Sequence, residues 1–331
     1  MAGLALVTGA AGFLGGALCR TLLAEGWRVR ALHRPTSSLR QLEGLDFEAV
    51  TGDLTQPDTI HQAMKGVEVV FHTAALLENS DPGRLYTVNV EGTRAVLKAA
   101  HEAGVRRVVH TSTVAVLGMP EKGPGSAVPA PIDENHAFNL PPARWPYGYA
   151  KYLAELEVQK AVAGGLDAVI VNPSLITGPG DVYRKESAII VQAARGRLPA
   201  RIAPPGGINV VHINDVCAGH LAALQHGQTG QRYILAGQNI THFEYLRLTA
   251  EITGAPPPRS IAPAWIFRAM AFFSRIGQRF MSMPLGPTEL NMAGTYFYYK
   301  TAHPLPTPEP APARQAIEDA WQWFKNEGAL S

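Results

Sequence analysis

Tyr147 and Lys151, in the run Tyr147-Gly148-Tyr149-Ala150-Lys151 behind Pro146, stand at a spacing that supports proton transfer. On a helix, residues four apart project from one face about 6 Å apart along the axis. A phenol titrates near pH 10, and an adjacent ammonium favours the phenolate, bringing the group toward the range where it passes a proton efficiently. The pattern is cheap by chance, since Tyr296-Phe297-Tyr298-Tyr299-Lys300 repeats it. Context separates the two copies. The first follows the expected fifth strand and opens a helix; the second has no glycine turn near it. The fifth strand ends in His110-Thr111-Ser112-Thr113, placing hydroxyls at the carboxyl end of the sheet, where ligands bind in open α/β folds. One of them can hydrogen-bond a substrate oxygen as charge develops, while simple strand-end capping accounts for the others.

A second group could hold a dinucleotide. Thr8-Gly9-Ala10-Ala11-Gly12-Phe13-Leu14-Gly15 lies between an expected strand and helix. Glycine is needed there for the tight bend, the approach to a pyrophosphate and the packing of helix on strand, and the helix N-terminus supplies the anion site. An NAD site would carry an acid about 20 residues on, yet nothing acidic lies between Glu25 and Glu43. Arg34, followed by Thr36, Ser37 and Ser38, offers instead a guanidinium and hydroxyls to a 2′-phosphate. NADP is the expected cofactor and NAD the alternative. Asp53 and Leu54, in Gly52-Asp53-Leu54, could reach the adenine, although Asp53 could also cap the following helix.

The elements that must position these groups follow from alternating runs. Strands are expected at 4–7, 29–32, 47–50, 67–71, 107–111 and 168–171, and helices near 14–25, 59–64, 85–103 and 147–163. That alternation predicts an α/β fold, a doubly wound parallel Rossmann sheet. Residues 119–146 read as a long loop bordering the site. After Pro173 the pattern breaks; a strand at 210–212, a helix at 215–224 and a strand at 232–235 then resume it. The expected division is a dinucleotide-binding domain of residues 1–173 plus 206–236, with a smaller, discontinuous substrate domain of 174–205 plus 237–331. An extended Pro304–Pro312 linker precedes a last helix, 313–326.

Composition narrows the classes. The 331 residues carry 46 % hydrophobic side chains and 29 basic against 27 acidic groups, which excludes a disordered chain and disfavours nucleic acid as a partner. Cys19 and Cys217 form no motif, and none of the 11 histidines sits in zinc-ligand spacing, so no metal site is expected. A reducing, cytoplasmic setting without a leader is expected. The stretch from Trp265 to Met283 is interrupted by Arg268, Arg275 and Arg279, so it does not span a membrane. It reads as an amphipathic helix with Ile266, Met270, Phe273 and Phe280 opposite the arginines. An ordinary packed surface helix is the simpler interpretation, and contact with a membrane surface, using Trp265 and Phe272, the other.

The glycine turn, the GDL, His72-Thr73-Ala74-Ala75, Asn89-Val90-Glu91-Gly92-Thr93, the HTST strand, YxxxK, Asn172-Pro173-Ser174 and Val211-His212-Ile213-Asn214-Asp215-Val216 occur in order over residues 1–236. Together they resemble the extended short-chain dehydrogenase/reductase (epimerase/dehydratase) superfamily, most like its dihydroflavonol 4-reductase-type and hopanoid-associated epimerase-like members. The resemblance implies Tyr147 as general acid/base, Lys151 as the group that also holds the nicotinamide ribose, and Thr113 as the catalytic hydroxyl. It further implies cofactor contacts from Thr8, Ala74, Ala75, Asn89, Thr111, Ser112, Pro173, Ser174, Leu175 and Ile176, and a homodimer through helices beginning near Asn89 and Tyr147. Members acting on nucleotide sugars carry an arginine where this chain has Ile208, which disfavours such a substrate. The C-terminal linker also departs from the family's usual ending.

The expected function is therefore reduction of a ketone or aldehyde by hydride transfer from NADPH, with Tyr147 protonating the oxygen. The apolar, aromatic side chains of Phe138, Trp145 and Trp265 lean toward a hydrophobic substrate. A redox-neutral, NAD-dependent epimerase or dehydratase is one alternative, and a dinucleotide-sensing or assembly protein without turnover is another.

Overall fold

The computed structural model describes residues 3–77, 81–121, 128–183, 187–196, 202–277, 290 and 292–327, without the side chains of 273–277. The apolar runs of the first half become β1 (Leu4–Thr8), β2 (Arg28–His33), β3 (Glu48–Thr51), β4 (Val69–His72), β5 (Arg107–Thr111) and β6 (Ala168–Pro173). Short strands β7 (Leu175–Thr177), β8 (Ile202–Ala203) and β9 (Gly207–His212) follow, then β10 (Arg232–Leu235), β11 (Gln238–Thr241) and β12 (Ser260–Ile261). Seven of them form one sheet in the order β10-β6-β5-β4-β1-β2-β3, every neighbouring pair parallel.

Both faces of the middle of this sheet are covered, which is why β1, β4 and β6 are buried along their whole length rather than alternating. Along β1, Ala5 and Val7 join a core shared with Leu18 and Leu22 of α1 (Phe13–Ala24). Leu4 and Leu6 join the opposite core, with Ile60 of α2 (Pro57–Ala63). The expected helix over 85–103 is instead three pieces: α3 (Pro82–Tyr86), a π-helical turn Thr87–Glu91, and α4 (Gly92–Glu102). Val96 of α4 and Val158 of α5 (Pro146–Ala163) complete the second core. The free thiols Cys19 and Cys217 are buried in the first, and burial pushes both up to about 12.

The later strands divide. β10 extends the large sheet, whereas β9 lies between β11 and β7 in a separate three-stranded sheet. Helices α6 (Ala188–Ala194), α7 (Ile213–His226) and α8 (His242–Thr253) follow in order. Next come α9 (Ala264–Gly277) and α10 (Ala313–Asn326). Ile190 of α6, Leu248 of α8, and Ile317 and Phe324 of α10 form the core of this second region. The 304–312 segment has no regular structure. It is nevertheless docked, for Leu305 packs on the first core and the Ala311 N–H donates to Asp215 at 2.8 Å.

The loop over 119–146 is tied down by Glu134, which is 5 % exposed. Its carboxylate accepts from the Ile234 N–H of edge strand β10, the Thr301 hydroxyl and the Ala302 N–H, at 2.9, 2.8 and 2.6 Å. This satisfies a donor on an open sheet edge. Ile132 bridges to Tyr299 nearby.

In α9 the inward face is Phe267 and Ala271, with Ile266 half-buried, whereas Met270 is 40 % exposed. The expected inward position of Met270 is thus corrected; the side chains of Phe273, Arg275, Arg279 and Phe280 lie outside the described residues. Among the described residues, no helix is long and apolar enough to cross a membrane, and no group of three potential metal ligands occurs.

Candidate active site

The connections from β1 and β4 leave toward opposite edges of the sheet, opening a crevice at their carboxyl ends. Gly9 sits there with φ +69°, and a Cβ on it would lie 2.8 Å from the Ala74 Cα. At Gly15 a Cβ would fall 2.2 Å from the Gly9 carbonyl oxygen. The turn therefore tolerates only hydrogen at both positions. Gly12 begins α1 without a side-chain cap, and the first turn, with half-buried Phe13 and Leu14, has no acidic residue. Its N–H groups suit an anion, so the residues present fit a dinucleotide's pyrophosphate.

Thr8 braces this crevice rather than opening into it. Its hydroxyl lies 2.8 Å from His72 Nδ1 and accepts from the Ala74 N–H at 3.2 Å. Asn89, 1 % exposed in the π-helical turn, spends both ends of its amide on the Leu76 backbone, at 2.8 and 2.9 Å. It fixes the segment that carries Ala74 and the exposed Ala75.

Arg34 lies exposed in the turn after β2. Asp53 does not cap α2, whose N-cap is Gln56; its Oδ1 accepts from the Thr55 N–H and hydroxyl at 2.9 and 2.8 Å. Partial burial would raise the Asp53 carboxyl, but those bonds and the charges of Arg34 and Arg84 outweigh it and hold it below the usual range. Leu54 packs under Gly92, where an added Cβ would meet it at 2.8 Å.

Lys151 reaches the end of β5, where Thr111, Ser112 and Thr113 lie. Lys151 is 2 % exposed and donates from Nζ to the Thr111 carbonyl at 2.8 Å. Burial lowers it to about 8, opposed by the charge of Glu155 one turn further along α5. Tyr147, half-buried, stands one turn before it on the same helix. The Thr111 hydroxyl is taken by His220 Nε2 at 2.8 Å, so Thr111 serves through its carbonyl. Ser112 Oγ is buried without a partner among the described residues. Thr113 accepts from the Ala115 N–H at 3.2 Å, which leaves its own proton to donate. Trp145 and Phe297 pack edge to face beside the start of α5, with ring centroids 5.8 Å apart. Phe138 lies instead against Tyr149 and Tyr152, and Trp265 is 67 % exposed.

Glu155 was not singled out in the sequence, although the same four-residue spacing points to it. Only 1 % exposed, it accepts from Asn172 Nδ2 at 2.7 Å and lies 2.8 Å from an Arg232 guanidinium nitrogen. Asn172 Nδ2 also donates to the Thr113 carbonyl at 3.0 Å. A buried carboxylate thus links Lys151, Thr113 and the outer strand β10.

Pro173 ends β6, and Ser174 directs its hydroxyl to Asn209 at 2.6 Å. Half-buried Leu175 and Ile176 pair with β9. On β9, Ile208 packs its side chain against the second region's core. In the second YxxxK copy the chain is extended, Tyr299 is buried and Lys300 pairs with Asp133 at 3.5 Å. Its tyrosine and lysine therefore lack the helical juxtaposition of the first.

Residues 5–236 match the family model described as the NAD dependent epimerase/dehydratase family. A Synechocystis protein named provisionally as a dihydroflavonol 4-reductase is 37 % identical, covering 99 % of this chain and 96 % of its own length. Sterol demethylase protein B of Methylococcus capsulatus is 35 % identical, over 98 % and 99 %. The crystal structure of gox2253 has a TM-score of 0.84 at 35 % identity, covering 99 % of both chains.

Proposed function

Because the chain belongs to the NAD dependent epimerase/dehydratase family and is, with it, an NAD(P)-dependent oxidoreductase that reduces carbonyl groups, we propose that it reduces a ketone or aldehyde of a small apolar substrate with NADPH. The observation that carries this reading is the buried Lys151 ammonium, held on the Thr111 carbonyl one turn from Tyr147.

The glycine turn and the uncapped start of α1 would hold the pyrophosphate, and Arg34, the 2′-phosphate. The bound dinucleotide would supply hydride to the carbonyl carbon. Thr113 donates a hydrogen bond to the carbonyl oxygen and orients it, keeping its own proton. Tyr147 gives its proton to that oxygen, and the Lys151 ammonium stabilises the phenolate left behind. Trp145 and Phe297 offer the substrate an apolar wall, and the names of the Synechocystis and Methylococcus relatives support a hydrophobic compound. Ile208 presents no cation to a sugar diphosphate, which favours net reduction over epimerisation of a nucleotide sugar. Tyr86 and Leu156, 39 % and 38 % exposed on α3 and α5, suit the helix-mediated homodimer.

The test is a panel of aldehydes and ketones assayed with NADPH and NADH in parallel, on the parent and on Tyr147→Phe. Turnover with NADPH and a loss of about 100- to 10,000-fold in kcat at unchanged cofactor affinity are expected in the variant. An indifferent variant, or tightly held NAD with no net consumption, would refute the proposal.

A further inference from the structure

Between Glu251 and Glu289 the sequence holds four arginines, Arg259, Arg268, Arg275 and Arg279, and no acidic residue, in a chain of 29 basic and 27 acidic side chains. Helix α9 lies in this stretch. Phe267 and Ala271, 6 % and 1 % exposed, turn inward onto Ala262, Leu290 and Ala293. At 100° per residue, Trp265, Arg268, Ala269 and Phe272 fall on the opposite face. All four are exposed there, Trp265 by 67 % and Phe272 by 64 %. Ile261, 54 % exposed at the end of β12, lies three residues before the helix.

An outward face that combines large aromatic rings with one sign of charge suits few partners. Aromatic residues and Arg also recur in the cores of protein interfaces, but a second copy would bring one all-basic segment against another, which costs free energy. A lipid interface accommodates both features: aromatic rings settle at headgroup depth, apolar side chains enter the acyl boundary, and guanidinium groups meet phosphates. We propose that the outer face of α9, with Ile261, docks the enzyme reversibly on an anionic lipid surface. Neither the charge nor the exposure on which this rests depends on the redox reading of the crevice.

Flotation of the full chain with vesicles decides it. With phosphatidylglycerol mixed equally into phosphatidylcholine the protein should float with the vesicles, and with phosphatidylcholine alone, or in high salt, binding should fall about tenfold. Trp265→Ser combined with Phe272→Ser, and separately Arg268→Glu, should each cut the bound fraction about tenfold at an unchanged melting temperature. The charge variant keeps the test open should the aromatic pair prove needed for folding. Absence of flotation on the anionic vesicles, or flotation insensitive to both variants, overturns the proposal. So does a lipid-free dimer that the aromatic variant dissolves, which would make the patch a self-association surface. Partitioning is read without turnover, so a failed reductase assay leaves this result intact.

Discussion

Lys151 Nζ donates to the Thr111 carbonyl across 2.8 Å in a region that water barely reaches, since only 2 % of the lysine is exposed. That burial brings the ammonium down to about 8. The charge that the proposed mechanism sets beside the Tyr147 phenolate is therefore present below that pH and lost as pH rises through it. Carbonyl reduction should decline on an alkaline limb near 8. Lys151→Met should remove the limb and lower kcat by about two to four orders of magnitude. Because the unfolded lysine keeps its proton up to about 10.5, the variant should melt no lower than the parent at pH 7. A pH–rate profile and a melt of the same preparation check both, and an alkaline limb surviving in the variant would reject this role.

Glu155 supplies the negative charge that holds Lys151 up against burial. Glu155→Gln keeps a side-chain carbonyl for Asn172 but removes that charge, so the alkaline limb should move to lower pH. Arg232 loses its partner, and the variant should be destabilised by about 1–3 kcal/mol. A purely structural carboxylate would give the lower melting temperature with the limb unmoved.

The Tyr147/Lys151 pair and a cluster of hydroxyls at the end of β5 were legible from spacing and position, because helical periodicity and strand ends are local properties, whereas Thr113 was singled out only by the family resemblance. Glu155 obeys the same periodicity and was open to the same argument. The destinations of the Thr111, Ser174 and Asn89 side chains were not, since His220, Asn209 and the Leu76 backbone that receive them come from distant parts of the chain. Nor could composition decide how α9 is rotated: both of its faces carry aromatic and apolar residues, and Phe267 rather than Met270 packs with Ala262, Leu290 and Ala293. β9 resumed the expected strand pattern, yet it pairs with β11 and β7 because the large sheet already takes β10 beside β6.

Arg34 provides the test of cofactor choice. Exposed, it sits close enough to Asp53 for its charge to lower that carboxyl. A charge-assisted contact with a 2′-phosphate contributes about 1.5–3 kcal/mol. Arg34→Ala should therefore raise KM for NADPH roughly 10- to 100-fold and leave KM for NADH nearly constant. Equal changes with both cofactors would remove Arg34 from phosphate recognition.

Three histidines should make the fold acid-sensitive. Burial holds His72 near 3, with the Lys151 charge adding to the effect, and His220 near 4. His110, whose ring centroid lies 5.2 Å from that of His72, is held well below its ordinary range by burial, then by the charge of Lys151, with the neighbouring His72 disfavouring a second proton there. In the unfolded chain each takes up a proton as pH falls through about 6.5; in the fold they stay neutral until far lower. The unfolded state thus binds more protons, and stability present above about 6.5 is lost as pH falls, by about 1.4 kcal/mol per pH unit for each histidine. Both His110 nitrogens are buried without a hydrogen-bond partner among the described residues. Replacing this ring costs no hydrogen bond, so His110→Leu should reduce the slope of stability against pH by one proton's worth between pH 6 and 5. Denaturant titrations at the two pH values measure it, and an unchanged slope would show that His110 is protonated in the fold.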